Sequence, residues 1–210
     1  MQKSLFEADA PLEFPLRQGF LTLHPHWLAR EQADQLFQVF KETLNWEQSQ
    51  LRIHGRMVPI PRLNAWYGDP GCHYQYSGHQ LTLNPWTAEL AALRQRLSEE
   101  FNSQFNSVLA NFYRDGKDSV AWHSDDEPEL GRNPLIASLS LGVSRRFSLK
   151  HRFQKQEAPV NLELTHGSLL LMSGTTQSFW SHCLPKSSRI ASGRINLTFR
   201  RIVDPRIDKQ

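Results

Sequence analysis

Two periods divide this chain. Over residues 26–46 apolar side chains recur every three or four positions, at Trp27, Leu28, Ala33, Leu36, Phe37, Phe40 and Leu44, and this spacing predicts an amphipathic helix. A second helix is predicted from Pro85 to about Phe101, because Leu90, Leu93, Leu97 and Phe101 keep the same spacing and proline suits a helix start. Beyond it the period falls to two. Val108, Ala110 and Phe112 alternate with Leu109, Asn111 and Tyr113; Leu139, Leu141 and Val143 with serines and glycine; Val160, Leu162 and Leu164 with polar residues; and Ile195, Leu197 and Phe199 with Arg194, Asn196, Thr198 and Arg200. Each run has the pattern of a half-buried strand. Residues 1–20, punctuated by Pro11 and Pro15, are expected to be an irregular lead-in, and residues 50–84 to form short strands and turns. Two helices followed by many short strands make the chain mainly β with supporting α-helices, a sandwich or barrel backed by its N-terminal helices.

Composition narrows the class without naming a function. The 210 residues, 39% of them hydrophobic, suffice for one domain with a sizeable core. A net charge of +3 permits contact with a polyanion but does not demand it. Cys72 and Cys183 form neither a CxxC pair nor a disulfide ladder, so a reduced, cytoplasmic protein is the expectation. No secretory leader is expected from the first residues, and no apolar run approaches the about 18 residues of a membrane span.

The chemistry lies in sparse polar residues of the C-terminal half. His123-Ser124-Asp125 places an imidazole and a carboxylate two positions apart, on one side of an extended segment. With a distant third ligand such as His182 this makes the two-histidine, one-carboxylate set that suits non-haem Fe(II), although an isolated HxD is more often a strand-end pair and zinc could use the same ligands. Arg194, Asn196, Thr198 and Arg200 share one face of the last strand. If that face looks inward, two guanidiniums are buried, and buried charges need partners; a dicarboxylate fits an arginine fork.

These segments resemble a known family. Asn111-Phe112-Tyr113, Trp122-His123-Ser124-Asp125-Asp126-Glu127, His182 and the Arg194-x-Asn196-x-Thr198-x-Arg200 run are similar to the AlkB family of Fe(II)- and 2-oxoglutarate-dependent dioxygenases. The R-x-N-x-T-x-R run is the most specific element. Upstream, Pro61-Arg62-Leu63-Asn64-Ala65-Trp66-Tyr67-Gly68-Asp69 and Tyr74-Gln75-Tyr76-Ser77-Gly78 resemble the nucleotide-recognition region of its nucleic-acid-repair branch, so the likeness covers about residues 50–202.

The resemblance implies a double-stranded β-helix (jelly-roll) core over residues 105–202, a nucleotide-recognition region over 50–84, and one catalytic domain spanning 1–210. It implies that His123, Asp125 and His182 bind iron and that Arg194 pairs with the distal carboxylate of 2-oxoglutarate. Arg200 would meet the carboxylate beside the keto group, Asn111 and Tyr113 would add hydrogen bonds, and Thr198 and Asn196 would line and support the pocket. The implied activity is oxidative demethylation of alkylated DNA, or RNA, with O2 consumed and formaldehyde, succinate and CO2 released; a 2-oxoglutarate oxygenase acting on a protein or other non-nucleic-acid substrate is the alternative. The base must leave its stack to be reached. His54, Gly55 and Arg56 fall where relatives place a finger against the duplex, and His54 stands where some carry an apolar wedge. Tyr74 and Tyr76 match base-contacting positions, ahead of Trp66 and Tyr67, and Asp126 and Glu127 would favour a cationic base, Glu127 reading its edge. Arg56, Arg62, Arg145, Arg146, Lys150 and Arg152 are candidate phosphate contacts. A monomer without membrane contact is expected.

Overall fold

The structure, a computed structural model, describes residues 10–53, 55–72, 75–76 and 79–203. Its elements in chain order are β1 (Leu12–Leu16), β2 (Gly19–His24), α1 (Arg30–Thr43), β3 (Gln50–Ile53), β4 (Arg56–Pro59), β5 (Leu63–Gly68), β6 (Gln75–Tyr76), β7 (His79–Gln80), β8 (Leu83–Asn84), α2 (Ala88–Glu100), β9 (Ser107–Tyr113), β10 (Val120–His123), a 3-10 turn at Pro128–Leu130, β11 (Ile136–Gly142), β12 (Arg145–His151), β13 (Val160–Leu164), β14 (Leu169–Ser173), α3 (Thr176–Phe179), β15 (Trp180–Leu184) and β16 (Arg194–Arg200).

Three layers result. An eight-stranded sheet, in the order β1-β2-β14-β11-β16-β9-β5-β8, lies between the helices and a four-stranded sheet, β10-β15-β12-β13. All its pairings are antiparallel except β5 with β8. The apolar face of β16 (Ile195, Leu197, Phe199) joins Ala33 and Phe40 of α1 and Leu90, Leu93 and Leu97 of α2 in one core. A second core fills the space between the two sheets, with Ile136, Leu170 and Met172 facing Phe147, Leu149 and Leu162. The expected jelly roll is therefore present, and β16 is buried on both faces because it crosses the middle of the sandwich.

Both predicted helices form, shorter than their periodic windows. Trp27 and Leu28 reach the core from non-helical backbone, because the Leu28 amide donates to Gly167 O and docks that segment on the sheet; the helix starts at Arg30. In α2 the cap is Thr87, whose hydroxyl accepts from the Leu90 amide, so Pro85 lies before the cap instead of inside the first turn. The lead-in is corrected by the structure: residues 12–24 form a β-hairpin that extends the large sheet through β2 and β14. Pro15 is compatible with β1 because an edge strand leaves one side of its backbone without a ladder to break.

Two loops are locked together at one end of the sandwich. Gly116 donates to Ile190 O and accepts from the Ser187 amide. A Cβ on Gly116 would sit 1.9 Å from Ser187 O, so only glycine permits this approach. Beside it Arg114 grips Asp118 through Nε (2.8 Å) and Nη2 (2.9 Å), and the Arg114 amide also donates to Asp118. No helix among the described residues is long and apolar enough to cross a membrane.

Two tests follow from this packing. Leu197→Ala empties a fully buried position between the sheet and the helices and is expected to lower unfolding stability by about 2–5 kcal/mol; Leu12→Ala, at an exposed edge position, should stay within about 0.5 kcal/mol in the same urea titration. Burial pushes the Asp118 carboxyl upward, but its bonds from Arg114 and the charges of Arg114 and Arg145 outweigh this and hold it below its ordinary value. A depressed native pKa stabilises the fold above the unfolded aspartate value near about 3.9, and that contribution is lost as pH falls through the native value. Asp118→Asn should therefore destabilise at pH 7 and flatten the acid limb of the stability curve below about pH 4; an unchanged acid limb would remove Asp118 as its source.

Candidate active site

The cleft between the two sheets collects the polar faces of β9, β11 and β16 on one side and of β10 and β15 on the other. His123 closes β10, and its register partner on β15 is His182. Asp125 follows two residues on, and one ligand atom from each of the three lies within 4.8 Å of the others. Ser124 points elsewhere and donates to Trp180 O, as alternation along an extended segment requires.

The surroundings of Asp125 and His182 favour the protonation states a metal needs. His123 Nδ1 lies 2.8 Å from Ala121 O, to which it donates, and Nε2 is turned to within 4.0 Å of Asp125 Oδ1. His182 is pushed down to about 3, chiefly by burial and then by His123, and is neutral at pH 7. Burial alone would raise Asp125; Arg200, His182 and His123 together outweigh it and keep the carboxylate ionised. Arg200 Nη2 donates to Asp125 Oδ1 at 2.8 Å. The Asp125 amide donates to Gln177 Oε1 at 2.9 Å, and Gln177 Nε2 reaches Met172 Sδ. Two imidazoles and one carboxylate on one side of a cleft fit a divalent iron with positions left open.

The other half of the cleft is an anion cradle. Registers Arg194↔Tyr113 and Asn196↔Asn111 on β9, with Asn196↔Ser140 and Thr198↔Ser138 on β11, bring these side chains onto one patch. Arg194 is 2% exposed; its Nη2 donates to Ser140 Oγ at 2.9 Å, and its Nε has no hydrogen-bond partner among the described residues. Burial lowers it to about 10, with Tyr113 opposing and Arg145 adding to the effect. A guanidinium this deep, with no carboxylate paired to it among the described residues, is complementary to a carboxylate supplied by a ligand. Asn196 is tied to the sheet, donating to Ser138 Oγ and Leu139 O and accepting from Thr198 Oγ1.

Some residues stand elsewhere than the sequence implied. Arg62, expected on phosphate, is 4% exposed and lines the cleft; its Nε donates to Asn111 Oδ1 (2.8 Å) and its Nη1 to Ser119 O. Arg145 is likewise buried, spending its guanidinium on the carbonyls of Asp115, Asp118 and Pro185. Trp66 and Tyr67 are core residues, and the Tyr67 hydroxyl accepts from the Asn45 amide. Asp126 is exposed and paired with Arg152 at 2.6 Å, whereas Glu127 is half-buried. Gly55, at φ 80, occupies the turn of the β3–β4 hairpin beside exposed Arg56. Met57 and Val58 of that hairpin are exposed apolar residues that the sequence pattern did not mark. The backbone of Tyr76 pairs with that of His79, while His54 and Tyr74 lie outside the described residues. Gln177, Ser138 and Ser140 were also unmarked as site residues: Ser138 lines the cleft, Ser140 accepts from Arg194 and Gln177 accepts from the Asp125 amide.

Comparison with known proteins agrees with this geometry. The model of the 2OG-Fe(II) oxygenase superfamily matches residues 20–200. Mouse "Alpha-ketoglutarate-dependent dioxygenase alkB homolog 3" is 41% identical over 193 residues, an alignment covering 88% of this chain and 67% of that protein. Mouse "DNA oxidative demethylase ALKBH2" is 37% identical over 183 residues, covering 83% and 77%. A solved structure of OsALKBH1 superposes with a TM-score of 0.54 at 17% identity, covering 90% of this chain and all of that one, a likeness of fold alone. The chain belongs to the AlkB family of the 2OG-Fe(II) oxygenase superfamily.

Proposed function

We propose that this chain is an iron- and 2-oxoglutarate-dependent dioxygenase that removes alkyl groups from the bases of DNA, with 1-methyladenine and 3-methylcytosine as the representative lesions. The observation that carries the reading is the buried guanidinium of Arg194 beside a two-histidine, one-carboxylate cluster, which asks for a carboxylate ligand next to a metal. The substrate class is supported by similarity to a protein named as a DNA oxidative demethylase.

Bound iron and 2-oxoglutarate supply the oxidation of the alkyl carbon by O2, and the hydroxymethyl product of a methylated base collapses to formaldehyde and the restored base. His123, Asp125 and His182 are the residues that would hold the iron. The Ala121 carbonyl fixes the His123 tautomer, and Gln177 fixes the backbone of Asp125. Arg194 would take the distal carboxylate of 2-oxoglutarate and Arg200 the carboxylate beside its keto group; Asn111, Tyr113 and Thr198 line the same cleft. Arg62 orients the Asn111 amide by donating to its oxygen, which leaves the Asn111 Nδ2 group as its donor. Half-buried Glu127, next to the triplet, is suited to face a cationic alkylated base, with Arg56 and the finger on the nucleic acid.

The test is formaldehyde release from oligonucleotides bearing 1-methyladenine or 3-methylcytosine, given Fe(II), 2-oxoglutarate and O2. Wild type should release it, and Asp125→Ala should lose both turnover and tight iron retention; silence from wild type while a control demethylase works would overturn the assignment. Arg194→Ala should raise the KM for 2-oxoglutarate about 30-fold or more, the effect of removing about 2 kcal/mol or more of a buried charge pair, and affect the oligonucleotide KM far less. An unchanged 2-oxoglutarate KM would sink the role given to Arg194.

A further inference from the structure

Among the described residues two large aromatic side chains stand in solvent, Trp122 at 43% and Phe153 at 64% exposure. Each carries a cation against its ring: Lys150 Nζ lies 4.4 Å from the Trp122 centroid and the Arg152 guanidinium 5.6 Å from that of Phe153. Their position is as specific as their exposure. Trp122 directly precedes His123, and Arg152 is bonded to Asp126, which directly follows Asp125. The two aromatic–cation pairs therefore bracket the iron-binding triplet.

The solvent face of β12 beside them is basic. Phe147 and Leu149 of β12 face the core while Arg146 and Lys150 face solvent. Arg146 donates to the neutral Asn161 side chain, and neither Arg146 nor Lys150 forms an ion pair among the described residues. Asp126 offsets the charge of Arg152, and Glu163 faces Arg146 across the β12–β13 ladder, so the patch holds a modest positive excess.

We propose that Trp122 and Phe153, with Arg146 and Lys150, form a docking platform for single-stranded DNA, on which unpaired bases flanking the target base stack while the cations meet their phosphates. The proposal rests on the nucleic-acid reading above and adds a contact surface outside the base pocket. Interleaved aromatic faces and cations are the arrangement that binds single strands, because every base offers a π-face and every linkage a negative charge. Protein-binding surfaces instead place apolar residues together and keep charges from their centre. The platform accepts unpaired bases only, since paired bases keep their faces in their own stack.

The experiment measures binding of a labelled, unmodified oligothymidylate to Trp122→Ala, Phe153→Ala and the double variant by fluorescence anisotropy, and turnover on an alkylated oligonucleotide beside turnover on the alkylated nucleoside alone. Binding by the double variant, which loses two stacking faces, should weaken about 30-fold or more; Trp122→Phe should retain most of the affinity. Lys150→Gln should reduce the salt dependence by about one unit of slope. Turnover on the nucleoside should not change. Phe153→Ala, at a position far out in solvent, carries the test if the double variant folds poorly. Undiminished oligothymidylate binding by folded variants would overturn the proposal, as would an equal loss of turnover on nucleoside and oligonucleotide, or an equal loss of binding to fully paired DNA. Because anisotropy needs no turnover, failure of the platform is distinguishable from failure of the demethylation reading, which a lack of formaldehyde from wild type alone would show.

Discussion

The site depends on one buried contact, Arg200 Nη2 on Asp125 Oδ1, between residues whose side chains are 5% and 2% exposed. It joins the central strand of the large sheet to the segment leaving the edge strand of the small one. Neither charge could stand there alone: removing one partner of a buried pair typically costs about 3–5 kcal/mol, because the other is left uncompensated. The same bond sets the function of both halves of the cleft. It holds the carboxylate ionised for a metal, and it places a guanidinium where a second carboxylate can share it.

The charge balance of the cleft follows from that contact. Arg62, Arg194 and Arg200 face a single described carboxylate, Asp125, across a lining whose histidine on β15 is neutral. Arg62 bonds Asn111 and Ser119 and Arg200 bonds Asp125, whereas Arg194 meets a serine hydroxyl and an aromatic face and has no carboxylate partner among the described residues. The surplus of positive charge is therefore greatest at the Arg194 end. In the function proposed above, this asymmetry would orient a dicarboxylate with one end at the deep guanidinium of Arg194. Burial strengthens the preference, since the low-dielectric walls leave less water to screen it.

Much of this was legible in the sequence because alternation is a local property. The period of two in residues 194–200 assigned Arg194, Asn196, Thr198 and Arg200 to one face, and the spacing in His123-Ser124-Asp125 assigned its ligands to one side. What escaped was set by pairing between distant segments. Arg62 read as a surface cation because nothing near it shows that β5 lies against β9 and turns it toward Asn111. Arg145 sat beside Arg146 in an apparently uniform basic pair, yet alternation along β12 buries one and exposes the other, and the buried one is satisfied by carbonyls of loops far away in the chain. The N-terminal hairpin was missed because prolines were read as breaks, when an edge strand accommodates them.

The placement of β16 also bears on how the molecule comes to be made. It is the last strand described, yet it sits at the centre of the large sheet, between β9 and β11. Until it inserts, those two strands have open edges facing one another across a gap, and the apolar core above α1 and α2 lacks Ile195, Leu197 and Phe199. A chain emerging from the ribosome would thus hold its helices, its hairpins and all three metal ligands before it could close, and during that interval its unpaired edges would be open to other chains. Closure and completion of the anion cradle are one event, so a molecule that has failed to finish folding also lacks Arg194 and Arg200 at the site. The unfinished form is thereby denied the co-substrate half of its machinery.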